Sequence, residues 1–187
     1  MNIKISEVAN LPSRFGDFKV KAFKEGNKEH LVVYTENTCE VPVVRVHSEC
    51  LTGDAIGSLK CDCRDQLEYA LGLAAETDGM VIYLRQEGRN IGLLNKINAY
   101  ALQDKGYNTV EANHQLGFAA DERTYEIVTF ILHHFGIHKI KLLTNNPDKV
   151  NSISDIEIVE RLPIIMPSNK HNKDYLAVKK EEMGHLF

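Results

Sequence analysis

Three of the four cysteines, Cys50, Cys61 and Cys63, stand inside one stretch, HSECLTGDAIGSLKCDC, and no other feature restricts the chain as much. The run PVVRVH, Pro42 to His47, reads as a strand that delivers the chain into this stretch, and a helical pattern follows it. Zinc binds thiolates well, and three such ligands leave the fourth tetrahedral position open to water. Bound zinc lowers the pKa of that water towards neutrality, which is what a hydrolytic site needs. A closed structural site usually shows two CxxC pairs, and this sequence has none. Cys39, before Pro42, is available as a fourth ligand or as an ordinary small buried residue.

Cysteines grouped in this way point to metal binding or catalysis in a compartment where thiols stay reduced, so we expect a cytoplasmic protein. The amino terminus lacks a signal-peptide core, and no run approaches the ~20 apolar residues that span a bilayer. A net charge of -4 argues against a general nucleic-acid binder. It leaves room for a small phosphorylated ligand, which needs only a local cluster of cations.

With 187 residues, the chain is expected to form one domain over 1–187, of α/β class, with a layered mixed β-sheet, flanking helices and an N-terminal β-hairpin. The hairpin pairs Gly16 to Phe23 with His30 to Tyr34 across a turn at Glu25 to Lys28. A helix over Asp65 to Glu76 precedes a short apolar run, MVIYL, that reads as a buried strand. A second helix, Ile91 to Asp104, is expected to bury Leu94, Ile97, Ala101 and Leu102, and a third, Arg123 to Phe135, to bury Ile127, Val128, Ile131, Leu132 and Phe135. Lys139 to Thr144 and Ile156 to Leu162 read as later strands, with a short helix capped by Asn146 and Pro147 between them and a terminal helix in DYLAVKKEEMGHLF.

Several segments could hold an anion. RQEGRNIGL places Arg85, Gly88, Arg89 and Gly92 at a helix start, where free N–H groups and arginine forks suit phosphate. The same pattern also fits an ordinary solvated turn. The long connection Tyr107 to Arg123 has weak periodicity, and such connections tend to be functional. LLTNNPDKV puts Thr144 at a strand end and Lys149 in the next turn, where ligands of α/β sheets bind. His47, Ser48, Glu49 and Asp54 lie beside the cysteines and could orient ligands or move protons.

Together, HSECLTGDAIGSLKCDC, YLRQEGRNIGLLNKINAYALQDKGY, ANHQLGFAADER and LLTNNPDKV resemble the GTP cyclohydrolase II family, from about Leu11 to the closing MGHLF. The resemblance implies that GTP and water give formate, pyrophosphate and a diaminopyrimidinone ribosylamine phosphate, the start of riboflavin synthesis. It implies zinc on Cys50, Cys61 and Cys63, activating the water that attacks C8 of guanine, with magnesium on the triphosphate. It places GTP contacts on Arg45, Val46, His47, Ser48, Glu49, Gln66, Glu87, Gly88, Arg89, Thr109, Thr144 and Lys149, and a homodimer is the expected assembly.

The resemblance also implies a catalytic pair, Asp121 and Arg123, with Tyr100 near the reacting purine. In the family the arginine is assigned as nucleophile on the α-phosphate, with the aspartate as its base. A guanidinium has almost no free lone pair unless a carboxylate takes its proton, so electrostatic stabilisation by Arg123 is the alternative. Residues two apart face different ways in a regular helix, so the pair needs a loop or a helix end. Tyr100 also reads as ordinary helix packing. Two positions depart from the family pattern: Arg64 and Asn90 stand where glycine is expected. The stand-alone form, without the companion domain of fused versions, is expected. A pyrophosphohydrolase that leaves the ring intact, and a guanine-nucleotide sensor, are the other readings.

Overall fold

The computed structural model describes residues 2–37, 39–181 and 184–186. Among them, eight strands form one mixed sheet. Short edge strands β1 (Ile3–Ile5) and β2 (Ala9–Ser13) both pair antiparallel with β3 (Gly16–Glu25), which turns into β4 (Lys28–Tyr34). Glu25 pairs with Lys28, so Gly26 and Asn27 alone make the turn, and Gly26 has the positive φ of 56° that such a tight hairpin requires. The expected hairpin therefore forms, with two strands outside it. Neither was anticipated, because Pro12 and the polar residues of ANLPS hide the alternation of an exposed edge.

The centre of the sheet is β6 (Met80–Leu84), β5 (Val43–Ser48) and β7 (Lys139–Leu143), with β8 (Glu157–Leu162) at the far edge. β5 runs parallel to both β6 and β7, and β7 parallel to β8, whereas β4 joins β6 antiparallel. Side chains alternate across these strands. Val44, Val46, Met80, Ile82, Leu84, Ile140 and Leu142 face one core, closed by the helix α5 (Glu126–His134) through Ile127, Val128, Ile131 and Leu132. Val81 and Leu143 face the other, beneath α2 (Cys63–Glu76), which contributes Ala70 and Ala74. Burial of this apolar surface on both faces is the main term holding the layers together.

Other elements lie over the carboxyl ends of β5, β6 and β7: the single turn α1 (Leu51–Asp54), α3 (Gly92–Gln103), α4 (Thr109–Gln115), α6 (Pro147–Ser152) and the terminal α7 (Lys173–Glu181). Asn146 caps α6 as expected, accepting from the N–H of Asp148 at 2.8 Å. The long connection after Tyr107 holds a helix of its own, α4, under a capping box in which Asn108 and Glu111 satisfy each other's backbone N–H groups. The third expected helix begins three residues late, so Asp121 and Arg123 sit in irregular chain before α5. The second departs further. Leu94 is 76% exposed and Ile97 46%, while α3 turns Ala99 and the charged Lys96 inward. Of the expected terminal helix, α7 ends at Glu181; Glu182, Met183 and Phe187 lie outside the described residues.

Candidate active site

β5 builds the site with alternate side chains. Val44 and Val46 enter the core, which turns Arg45 and His47 to the opposite face, and the strand end then presents Ser48, Glu49 and Cys50. Cys50 caps α1, Asp62 caps α2, and Cys63 opens α2. The Sγ atoms of Cys50, Cys61 and Cys63 consequently lie within 4.8 Å of one another, with Cys50 and Cys61 3.7 Å apart. Cys39 is exposed and outside this group, so it is neither a fourth ligand nor a buried packing residue.

Three thiols this close cannot all ionise unaided. Hydrogen bonds from Cys61 and Cys63 hold Cys50 well below the usual thiol range, helped by the Lys96 ammonium, whose Nζ donates to Cys50 Sγ at 3.1 Å. The same pairing pushes Cys61 up to about 11 and raises Cys63 well above the usual thiol range. A divalent cation among the sulfurs would remove that conflict by stabilising all three as thiolates. The donor set therefore fits a metal with an open position, and zinc is the ion that favours such ligands.

The loop before the sulfurs is held by a carboxylate hub. Asp54 accepts from Tyr83 Oη at 2.6 Å and from the Cys50 N–H at 3.0 Å, and it meets His47 Nε2 at 3.1 Å. Burial lowers the pKa of His47, against the opposing pull of Asp54. Beneath the sulfurs lies Gly53, where an added Cβ would stand 2.8 Å from Cys61 Sγ and 3.1 Å from Cys50 Sγ. Gly53→Ala is expected to keep the fold but splay the thiols, lowering zinc affinity by roughly 10–100-fold in competition with a chromogenic chelator, the range seen when groups supporting ligands are disturbed. Unchanged zinc affinity would refute this geometry.

Glu87 ties the arginine loop to the same centre, accepting from the Leu51 N–H at 2.6 Å and from Lys96 Nζ at 2.6 Å. Burial works against the charge of Lys96, but Cys50 and Glu87 outweigh it and raise its pKa. Gly88, Arg89 and Asn90 all adopt positive φ, 61°, 59° and 76°. Asparagine tolerates that region, so the departure at Asn90 preserves the turn. Arg64 lies on the partly exposed side of α2, 3.4 Å from Glu68 and with its guanidinium beside Gly57, so the departure there removes no ligand. Tyr100 bonds Thr52 Oγ1 at 3.2 Å, beside Cys50, and burial pushes it up to about 12.

A cleft runs from the sulfurs over the strand ends. Arg45 spans its floor, donating to the Leu143 carbonyl at 3.1 Å and to Gln66 at 2.5 Å, and burial lowers its pKa to about 10. Lys149 donates to the Val46 carbonyl at 2.8 Å, and burial together with Arg45 and Arg123 depresses its pKa strongly. Arg123 Nε donates to both oxygens of Asp121, at 2.8 and 3.0 Å, and its Nη2 also meets that carboxylate. Burial opposes the charges of both partners, but their pairing prevails, lowering Asp121 and raising Arg123. Ser48, Thr109 and Thr144 also line the cleft. A chain with a net charge of -4 thus gathers its cations where an anion would sit.

The family model for GTP cyclohydrolase II matches residues 4–163. The chain belongs to the GTP cyclohydrolase II family. It is 66% identical over 187 residues to the GTP cyclohydrolase-2 of Campylobacter hominis, covering 100% of this chain and 97% of that protein. It is 65% identical over 190 residues to the protein of the same name from Campylobacter fetus subsp. fetus, covering 100% and 97%, and 59% identical over 194 residues to that of Helicobacter hepaticus, covering 100% of both. A crystal structure of a two-domain 3,4-dihydroxy-2-butanone 4-phosphate synthase from A. baumannii overlaps 88% of this chain and 40% of that one, at TM-score 0.45 and 19% identity.

Of the residues singled out from the GTP cyclohydrolase II motifs, two do not line the cleft. Val46 is a core side chain that reaches the site through its carbonyl, and Asp121 stands behind Arg123. The cleft also holds residues that sequence reasoning missed: Lys96, Asn113, Asn145, Tyr175, Lys179 and His185. Lys96 could have been found as the single charge among the apolar residues of LLNKINAY. For Asn113 and the C-terminal residues no local pattern gives a signal. Among the described residues, no helix is long and apolar enough to cross a membrane.

Proposed function

We propose that the chain hydrolyses GTP, taken as its magnesium complex, to formate, pyrophosphate and 2,5-diamino-6-ribosylamino-pyrimidinone 5'-phosphate, the first step of riboflavin synthesis. The observation that carries this reading is the three-thiol cluster opening onto a cation-lined cleft. Zinc held by Cys50, Cys61 and Cys63 would supply a hydroxide at neutral pH for attack on the C8 of guanine. The chain's own residues do the rest. Asp54 fixes the backbone of Cys50, Lys96 balances its thiolate, and Tyr100 is held by Thr52 beside it, placed to orient the purine.

Arg45, Arg89 and Lys149, with the hydroxyls of Ser48, Thr109 and Thr144, are assigned to the triphosphate and ribose, and Gln66 and Glu87 hold the groups around them. Arg45 Nε and Arg89 Nη2 are buried without a hydrogen-bond partner, as expected of forks awaiting phosphate oxygens. For Arg123 the geometry favours a fixed cation. Asp121 grips the guanidinium side-on and raises its pKa, the opposite of what proton removal needs, while Nη1 donates to Ser48 Oγ at 3.5 Å. Arg123 then stabilises charge as the bond between the α- and β-phosphates breaks.

The exposed Leu94 and Ile97 of α3 suit a homodimer contact. A single domain, a cytoplasmic location and no nucleic-acid partner complete the proposal. Its test is the product set from GTP with and without a zinc chelator. Formate and pyrophosphate are expected in equal amounts, with formate lost on chelation. GMP and pyrophosphate from fully metallated protein would overturn ring opening, and binding without turnover would make the chain a sensor.

A further inference from the structure

The terminal helix α7 has no fully buried residue, yet it lies against the cleft. A nine-residue helix is marginal alone in water, and polar contacts hold this one in place. Lys179 Nζ donates to Asp62 Oδ1 at 3.1 Å, with Lys179 11% exposed at its side chain and Asp62 1%. Beyond the helix, the Leu186 N–H donates to the Asn145 carbonyl at 2.8 Å, and His185 lines the cleft. At the start of the segment Asn172 is buried, its side chain accepting from the Asn169 N–H at 2.7 Å.

Burial opposes the charge of Lys179, but Tyr175 and Asp62 outweigh it and raise its pKa, so the helix brings a full cation to the cleft. Lys179 enters a cleft that already holds Arg45, Arg89, Arg123 and Lys149. Among the described residues, each of these except Arg123 lacks a carboxylate of its own, and Asp62 is the single acid that Lys179 meets. Lys179 is among the charges that depress Lys149, and His185 is driven down to about 3 by burial, with Lys179, Arg123, Lys149 and Arg89 adding to it. A multiply charged anion bridging Lys179 to those cations would relieve their mutual repulsion and add to the hold of Asp62 on the helix. The unpartnered Arg45 Nε and Arg89 Nη2 ask independently for the same kind of ligand.

We propose that residues 172–181 and 184–186 form part of the phosphate site, with Lys179 a direct ligand of the substrate's triphosphate beside Lys149 and Arg123. This rests on the GTP reading above. The alternative role for Lys179 is a clamp that only fastens α7 to Asp62.

The test uses the full chain and two probes, magnesium tripolyphosphate and guanosine, titrated calorimetrically. Lys179→Met is expected to weaken tripolyphosphate by roughly tenfold or more, the worth of one charge-assisted contact, and to leave guanosine binding unchanged. Lys179→Arg should recover most of the loss. In the unaltered protein, tripolyphosphate should slow amide exchange across 173–181 and guanosine should not, a readout that needs no folded variant. Full tripolyphosphate affinity in Lys179→Met, equal loss of both probes, or α7 exchange indifferent to tripolyphosphate would overturn the proposal. Should the unaltered chain turn GTP over while Lys179→Met keeps its KM, only this inference fails. Should it bind tripolyphosphate and ignore GTP, the substrate reading fails and the phosphate site stands.

Discussion

Cys61→Ser is expected to reduce formate release from GTP by on the order of 10³-fold or more, because hydroxide at neutral pH depends on the intact metal centre. Cys61 is the most informative of the three. Its sulfur lies 3.7 Å from Cys50 Sγ, and it stands in the loop before α2 rather than in a helix, so serine can replace it without disturbing an element. Pyrophosphate release should persist, since Arg123, backed by Asp121, and Lys149 reach the cleft from other segments. The two products measured separately, with zinc content beside them, check this. Formate at the unaltered rate with serine in place would overturn the three-thiolate assignment.

Arg123→Ala is expected to do the converse damage, cutting pyrophosphate release by roughly 10³-fold, at the low end for an arginine that neutralises a phosphoryl transition state. Part of the loss comes from Asp121. Its carboxylate, now held ionised by the guanidinium, would face the incoming phosphates unpaired. Arg123→Ala with Asp121→Asn should therefore be less impaired in GTP binding than Arg123→Ala alone, a comparison of KM values that a purely structural role would not produce. Capture of a phosphoramidate on Arg123 under mild alkaline quench, followed by mass spectrometry, would displace the fixed-cation reading in favour of a covalent one. Pyrophosphate release unaffected by Arg123→Ala would remove Arg123 from the reaction.

The cysteines, the hairpin and the three central strands could be read from the chain because each is a local pattern: thiol spacing, alternation, or a short apolar run. What escaped depends on contacts between distant segments. Periodicity showed that α3 has an apolar face but not where that face points, and the structure turns Leu94 and Ile97 outward. Lys96 is drawn inward instead, because Cys50, far away in sequence, and Glu87, in the loop before the helix, can stabilise a buried ammonium there. α4 was too short for a periodic signal, and its cap, Asn108, is informative only once the helix is known. The Asp121 and Arg123 motif was legible, whereas the late start of α5 that lets the two side chains meet was not.

The strict in-and-out order of β5 has a consequence for how such a site can change over time. Because Val44 and Val46 are committed to the interior, the intervening Arg45 and His47 cannot migrate along the strand without dragging grease into water and charge into oil. Diversification towards another base or another leaving group is therefore channelled into the loops after Arg85 and Leu116, and into the segment beyond Asn169, leaving the strand as an unvarying ruler.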